Sequence, residues 1–577
     1  MLSPRRCRRS VAVLVSLLLA LPPLVRPVAA AEVLDLRLDG IDLPVNLAQL
    51  EAWSAGPAAA GTSAQAGVDA DLGIWLNLLS PSTQQDLRQL LRTPVLRERS
   101  FGRQLLDSWA GRQVLEEVGT LLTASDGRRT TASLNATVQR LLEQRRQVTA
   151  IELLRALPEP RLSLQLDAVL QMASQWRQQL GVQSQALQAL RRLGLQRRDP
   201  TPRSPLRPES GRRDAAAGRW SPPAPGSPGA AAGSVQATLQ PSRPAASAAP
   251  PLTRLLPVAH RREPLPLAIW PAAPSPVAAA GVRQVAPWVL LLPGLGGDSD
   301  QLGWLAAGLA QQGWSVVAMQ HPGSDAEALR QALAGQRPPP GGESLALRLA
   351  DIDAVLTAQR GGSLPFSADG VVLAGHSLGA VTALLAAGVR PESGLEPRCR
   401  RALQRLPFTN PSRLLQCQLP VSGAGAGLTL PGELRAVLGF NPFGSLLWPR
   451  KGLTGLSVPL LLAGGTLDLV TPPLEEQLAL FPLRGNARNR LAVVEGGSHF
   501  SPVHVADDNT ALFRLGDDLV GVAPAVVQEL LLGVTVEFLR GVQRHEGLRP
   551  QHRTLDGVTV FVLDGTAARR WRRQLGG

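Results

Sequence analysis

Ser377 stands at the centre of Gly375-His376-Ser377-Leu378-Gly379, after the apolar run Val371-Val372-Leu373-Ala374 and before Ala380-Val381-Thr382-Ala383-Leu384-Leu385. A strand turning sharply into a helix is the setting in which a serine hydroxyl is presented as a nucleophile. Such a turn brings neighbouring backbone close, so small residues are needed at both ends of the pentapeptide. In a chain with 56 Gly the five residues alone carry little weight. The apolar strand before them and the helical run behind them make the pattern specific.

A serine hydroxyl needs a base to take its proton, and the base needs an acid to fix its tautomer and stabilise its cationic form. After a nucleophile of this kind the expected chain order is acid, then histidine. The apolar run Val458 to Ala463 leads into Gly464-Gly465-Thr466-Leu467-Asp468, which puts Asp468 on a loop past a strand end. A second run, Leu491-Ala492-Val493-Val494, leads into Glu495-Gly496-Gly497-Ser498-His499. Of the 7 histidines, His499 and His504 follow Asp468 before the C-terminal helix, and His499 is preferred because it lies immediately beyond the strand. Singly, such an Asp is usually a turn residue and such a His is usually solvated; order and placement together carry the assignment. His376 reads as a packing or hydrogen-bonding residue, since its neighbour Ser377 points elsewhere on the turn.

Acyl transfer also requires backbone N–H donors for the negative oxygen of the tetrahedral intermediate. One donor is expected from Leu378, the residue after the nucleophile. The other is expected from Leu295 in Pro293-Gly294-Leu295-Gly296-Gly297-Asp298, which follows the apolar Trp288 to Leu292. A glycine-rich loop after a strand can instead cradle phosphate. The chain has no phosphate-loop motif, and its one lysine, Lys451, lies elsewhere.

Through Gly375 to Gly379, Asp468, His499 and the Pro293 to Gly297 loop, the chain resembles the α/β-hydrolase family. It is most similar to the dienelactone-hydrolase-like and platelet-activating-factor-acetylhydrolase-like esterases, and Gly313 to Ser324 resembles their strand and loop between oxyanion loop and elbow. The resemblance runs from near Pro251 to near Arg544 and implies a mostly parallel sheet flanked by helices. Two departures matter. Dienelactone hydrolases use a cysteine nucleophile, so a lactone substrate is not implied. The usual His-Gly of the oxyanion loop is Pro293-Gly294 here, which loses any orienting role of that histidine.

The elements that would position these residues fall into four segments. Arg5, Arg6, Arg8 and Arg9, the apolar run Val11 to Leu21 and the small residues Val28 to Ala31 read as a cleaved secretory signal over 1–30. Cys7 and Ser10 fit a twin-arginine signal poorly, which favours the general export route. Residues 31–195 read as a mostly helical domain. It opens on a hairpin around Asp39-Gly40 and a helix capped by Asn46, and apolar spacing continues at Leu87, Leu90 and Leu91, at Leu105, Leu106 and Trp109, at Leu134, Val138, Leu141 and Leu142, and at Leu166, Val169 and Leu170. Certain exported α/β-hydrolases carry a similar uncharacterised helical domain ahead of the catalytic one. Residues 196–250, rich in Pro, Ala, Ser, Gly and Arg, read as a disordered linker. Residues 251–577 form the expected catalytic domain, with an early edge strand from Arg261 to Trp270 and a cap insert at 391–432.

Beyond Cys7 the cysteines are Cys399 and Cys417, both in that insert. In an exported chain they most simply form a disulfide, the alternative being two buried thiols. Neither has metal-ligand spacing, and no cofactor is implied. The net charge of +14 comes without a basic stripe interleaved with aromatics, and Tyr is absent, so nucleic acid is not the expected partner. Weak attraction to anionic membrane surfaces, aided by Arg569-Arg570-Trp571-Arg572-Arg573, competes with a solvated tail. The expectation is an exported serine hydrolase for apolar small-molecule or lipid esters, destined for periplasm, thylakoid lumen or medium. Acyl transfer with the same residues is one alternative; a non-enzymatic lipid- or partner-binding protein on this scaffold is another. Oligomeric state is not specified.

Overall fold

The computed structural model describes residues 30–55, 72–73, 76, 80–92, 94–96, 109–144, 147–199, 250–273, 286–333, 336–404, 407, 409–422, 433–504 and 522–576. The expected signal segment, most of the linker, Leu105, Leu106 and the end of the cap insert lie outside the described residues. The chain divides into two compact units, one mainly of residues up to Gln178 and one mainly from Gln179 onward.

The first unit holds strands β1 (Val33–Leu38), β2 (Ile41–Asn46), β3 (Pro94–Leu96), β4 (Leu122–Ala124), β5 (Val148–Thr149) and β6 (Arg161–Gln165). β1 and β2 form the expected hairpin, with Asp39 and Gly40 at φ 49° and 78°, the positive values a tight two-residue turn requires. Asn46 Oδ1 then accepts from the N–H of Ala48 and Gln49 at 3.0 and 3.1 Å, capping the helix Leu47–Ala55. Beyond the helices, the unit contains a four-stranded sheet in the order β2-β1-β6-β4, which a mostly helical reading did not foresee. Apolar residues from the sheet (Leu34, Leu162) and from the helices (Leu47, Leu134, Val138, Ile151) share its core.

The larger unit is built on an eleven-stranded mixed sheet. Its strands are β7 (Gln196–Arg197), β8 (Leu252–Leu256), β9 (Leu265–Trp270), β10 (Trp288–Leu292), β11 (Val316–Met319), β12 (Val371–His376), β13 (Leu434–Phe440), β14 (Leu460–Gly465), β15 (Arg490–Val494), β16 (Gln551–Leu555) and β17 (Val558–Leu563). The order is β7-β16-β17-β15-β14-β13-β12-β10-β11-β9-β8, with β11, β10, β12, β13, β14 and β15 parallel. The expected early strand begins at Leu265 rather than Arg261, and β8 pairs outside it, so it is not the edge.

The central stretches of the parallel strands are apolar because both faces are covered. Alternate residues divide between two cores: Leu290, Leu292, Leu373 and Leu462 face one, Val289, Leu291, Ala374 and Leu461 the other. The first is covered by the helices Leu345–Arg360, Leu378–Ala386 and Gly565–Gln574, and by Ala186, Ala189 and Leu190 at the end of the helix Leu166–Arg191. The second is covered by the helices Gly303–Gln311 and Pro524–Arg544. Of Arg569 to Arg573, Arg570, Arg572 and Arg573 are exposed, but the segment is ordered rather than a tail. They lie in the helix Gly565–Gln574, whose Trp571 is buried and donates its indole N–H to the carbonyl of Ala186 at 2.9 Å.

Candidate active site

β12 delivers Ser377 at the centre of the sheet. Its backbone sits at φ 52°, ψ −119°, a left-handed conformation that is strained for a residue with a Cβ. Neighbouring glycines allow that turn. A Cβ on Gly375 would lie 2.4 Å from the carbonyl carbon of Gly379, and one on Gly379 would lie 2.2 Å from the carbonyl oxygen of Leu292. Ser377 donates its backbone N–H to Phe440 at 2.9 Å, and the next residue, Leu378, opens the helix Leu378–Ala386.

His499 and Asp468 arrive on adjacent loops at the ends of β15 and β14. The loops meet backbone to backbone, since a Cβ on Gly465 would lie 2.0 Å from the carbonyl oxygen of Gly497. Leu467 N–H donates to the carbonyl of Gly497 at 2.9 Å. The result is one continuous chain of contacts: His499 Nε2 is 3.0 Å from Ser377 Oγ, and His499 Nδ1 is 3.0 Å from Asp468 Oδ2. His504 lies apart, exposed, its ring 3.8 Å from Asp300.

Asp468 is fully buried and held by neutral donors as well as by the imidazole. Oδ1 accepts from the N–H of Val470 and Thr471 at 2.9 and 2.7 Å, and Oδ2 accepts from Thr471 Oγ1 and Asn441 Nδ2, each at 2.6 Å. Burial by itself would raise this carboxyl, but electrostatic attraction to the His499 ring and the hydrogen bonds from His499 and Thr471 outweigh it and hold it below the ordinary range. His376 lies behind the imidazole and donates Nε2–H to the carbonyl of His499 at 2.9 Å. Burial, with electrostatic repulsion from the neighbouring His499 ring adding to it, pulls His376 down to about 3, so it is neutral at pH 7.

The glycine-rich loop after β10 packs on the elbow: a Cβ on Gly294 would lie 3.5 Å from Ser377 Cβ. Its N–H groups are almost all committed. Gly294 donates to Gln301 Oε1 at 2.7 Å, Gly296 to the carbonyl of Ser324 at 2.8 Å and Gly297 to the carbonyl of Gly294 at 3.3 Å. Pro293 has no N–H. Leu295 N–H therefore stands without an acceptor among the described residues, as does Leu378 N–H at the start of its helix.

Beneath this loop lies a buried charged network. Arg348 is fully enclosed and donates to the carbonyls of Pro293 and Gly294 at 2.8 and 2.9 Å and to Ser324 Oγ at 2.9 Å. Burial pulls its guanidinium down to about 9, which leaves it cationic at pH 7. Asp351, one turn along the same helix, accepts from Arg261 Nε and Nη2 at 2.6 and 2.7 Å and contacts His260 Nε2 and His321 Nδ1 at 2.7 and 2.8 Å. Burial opposes its charge, but hydrogen bonds from His321 and Arg261 bring its carboxyl to about 2. Burial and the nearby Arg348 charge hold His321 at about 4, neutral at pH 7.

The described part of the insert carries the helices Leu395–Ala402 and Ser412–Ser422, joined by a Cys399–Cys417 disulfide. Its contacts run to the acid loop, to the segment after β13 and, through Gln418, to the N–H of Gly342. Ser412 N–H donates to the carbonyl of Val470 at 3.2 Å, and Asn410 Nδ2 donates to the buried Glu476 at 2.7 Å. Glu476 also accepts from the N–H of Gly444 and Ser445 at 2.8 and 2.9 Å. Burial raises the Glu476 carboxyl, and its hydrogen bonds, led by that from Asn410, only partly offset this. Among the described residues no hydrogen bond from the insert reaches Ser377.

Asn441, Thr471, Gln301 and Arg348 had no place in the sequence reading. Asn441 directly follows β13, the strand beside the one bearing Ser377, so its position at a strand end was a usable signal. Arg348 and Asp351 occupy core-facing positions of an otherwise apolar helix face with Leu345, Leu349 and Ile352, and charges at such positions are themselves a signal.

Residues 30–165 match a family described as "Alpha/beta hydrolase of unknown function (DUF1400)". No curated protein matches the chain. The matched residues belong to the first unit, whereas Ser377, Asp468 and His499 belong to the second.

Proposed function

We propose that the protein is an exported serine hydrolase that cleaves carboxylic esters of modest, largely apolar character. The single observation that carries this reading is the contact chain from Ser377 Oγ through His499 to Asp468, 3.0 Å at each step. Within the α/β-hydrolases the reading follows the resemblance to serine esterases of the dienelactone-hydrolase-like and platelet-activating-factor-acetylhydrolase-like kind. Export is supported by the basic-then-apolar N-terminus and by the disulfide, which suits an oxidising compartment.

In this mechanism His499 Nε2 takes the Ser377 proton as Oγ attacks the ester carbonyl, and Asp468 fixes the His499 tautomer through Nδ1–H. The carbonyl oxygen becomes negative and accepts from the N–H of Leu378 and Leu295. His499 then protonates the leaving alkoxide, and the acyl group stays on Ser377. Water, deprotonated by His499, releases the acid and restores the hydroxyl. The test is turnover of p-nitrophenyl esters of two to sixteen acyl carbons by the mature protein beside Ser377→Ala. Activity lost in that variant supports the reading, and equal activity in both refutes it.

A further inference from the structure

The Leu295 N–H belongs to the same peptide unit as the Gly294 carbonyl. In a trans peptide the C=O and N–H point in opposite directions, so whatever holds the oxygen aims the N–H. Arg348 Nη2 holds it at 2.9 Å, closer than the Gly297 N–H at 3.3 Å, while Nη1 of the same guanidinium holds the preceding carbonyl, Pro293, at 2.8 Å. A planar fork on two consecutive carbonyls fixes two peptide planes at once, which a single-point donor cannot do. Ser324 Oγ accepts from Nε at 2.9 Å and locks the fork from its other edge. The opposite side of the loop is held by Gln301, through the Gly294 N–H at 2.7 Å.

We propose that Arg348 is a positioning residue for acyl transfer at Ser377: its buried cation grips the Gly294 carbonyl and thereby aims and polarises the Leu295 N–H toward the developing oxyanion. The inference rests on the function proposed above. Its physical content is twofold. A fixed N–H needs no reorganisation when charge develops on the substrate oxygen. A cation hydrogen-bonded to the oxygen of an amide draws electron density through the peptide unit and makes its N–H a stronger donor. Both effects favour the tetrahedral state over the flat ester, so they act on kcat more than on KM. Pro293 has no N–H and no polar side chain of its own, and Arg348 holds the loop from beneath.

The test measures kcat and KM on a short p-nitrophenyl ester, and inhibition by an alkyl boronic acid that forms a tetrahedral adduct on serine. It compares the wild type with Ser377→Ala, Arg348→Gln, Arg348→Lys and Ser324→Ala. Loss of a whole oxyanion donor costs about 10²–10³-fold in kcat, so a misaimed one in Arg348→Gln is expected to cost about 10–100-fold, with KM within about twofold. The boronate is expected to weaken in proportion to kcat/KM, and Arg348→Lys to recover part of the loss. Should Arg348→Gln fail to fold, Ser324→Ala carries the test, with an expected loss in kcat of about two- to fivefold from a loosened fork. A folded Arg348→Gln with wild-type kcat overturns the inference, as does Ser324→Ala with wild-type kcat where it carries the test, or a rise in KM alone. A wild type that neither hydrolyses esters nor binds the boronate overturns the function itself, which separates the two failures.

Discussion

Asn441 donates its side-chain amide to Asp468 Oδ2 at 2.6 Å, the same oxygen that faces His499 Nδ1 at 3.0 Å. The carboxylate is thus held by the strand after the elbow, by its own loop and by the imidazole it orients. Asn441 sits at φ 49°, so glycine is the substitution that removes the amide without adding backbone strain. A hydrogen bond to a charged group contributes about 1.5–3 kcal/mol, and part of that loss is expected to appear as looser imidazole placement. Asn441→Gly is predicted to lower kcat about tenfold with KM little changed. Wild-type kcat in a stable Asn441→Gly would mean that the amide supports the loop only.

Asp468→Asn is the sharper version of the same argument. The amide cannot accept at every site now served by Val470, Thr471, Asn441 and His499, and it favours the wrong imidazole tautomer. For the proposed reaction the expected fall in kcat is about 10³–10⁴-fold. Steady-state kinetics on a model ester, with the melting profile recorded alongside, checks it.

The histidines and Asp351 make stability depend on pH in a stated direction. His321 and His376 have folded values of about 4 and about 3, below the 6.5 of the unfolded chain, so the unfolded state binds more protons in that window and stability falls as pH drops from 6.5. Asp351, at about 2 against 3.8, adds a loss as pH falls from about 4 to about 2, on the order of 2 kcal/mol. Glu476 runs the other way, since a raised folded value makes its proton stabilising just above 4.5. The unfolding free energy from urea titrations is predicted to decline between pH 6.5 and 4. In His321→Asn the decline is predicted to be shallower, and an unchanged slope would count against a neutral buried His321.

What the sequence made legible follows from the range of the interactions involved. The glycine pattern around Ser377, the apolar runs of β10, β12, β14 and β15 and the hairpin at Asp39-Gly40 are local, each set by a few neighbouring residues. The sheet of the first unit was not legible because β4 and β6 have three and five residues, too few to separate period 2 from period 3.6, and β1 pairs with the distant β6. In the larger unit the pairing of β16 with β17 is signalled by Asp556-Gly557 at φ 46° and 82°, a turn pair of the same kind as Asp39-Gly40. Arg348 was illegible as a loop support because its partners, Pro293 and Gly294 after β10 and Ser324 after β11, come together with its helix only when the two strands pair.

The Cys399–Cys417 bridge closes a short loop, with a sequence separation of 18, inside the insert. Chain-entropy arguments put such a loop at about 3 kcal/mol of stabilisation, confined here to the helices Leu395–Ala402 and Ser412–Ser422. Cys399→Ser is therefore predicted to raise proteolytic cutting within the insert while the main melting transition moves little. A large drop in that main transition would instead show that the insert and the sheet unfold as one.

Two glycine substitutions separate folding from function. A Cβ on Gly379, in the first turn of the helix Leu378–Ala386, would lie 2.2 Å from the carbonyl oxygen of Leu292 at the end of β10, where backbone cannot yield. Gly379→Ala is accordingly predicted to destabilise by more than about 4 kcal/mol, visible as loss of soluble protein. A Cβ on Gly294 would instead press on the His376 ring at Nδ1, 2.9 Å away, with the His376 carbonyl oxygen and Ser377 Cβ at ordinary contact distances of 3.4 and 3.5 Å. His376 is tied to the carbonyl of His499 at 2.9 Å, so a push on its ring reaches the imidazole beside Ser377 as well as the serine itself. Crowding of this kind costs about 1–3 kcal/mol, which leaves the fold intact. A displacement near 1 Å between reacting groups costs about 10²-fold in rate, so Gly294→Ala is predicted to stay folded and lose about that much kcat. Circular dichroism and ester turnover on the same preparation decide it, and a folded Gly294→Ala with full activity would show that the loop does not bear on the reacting groups.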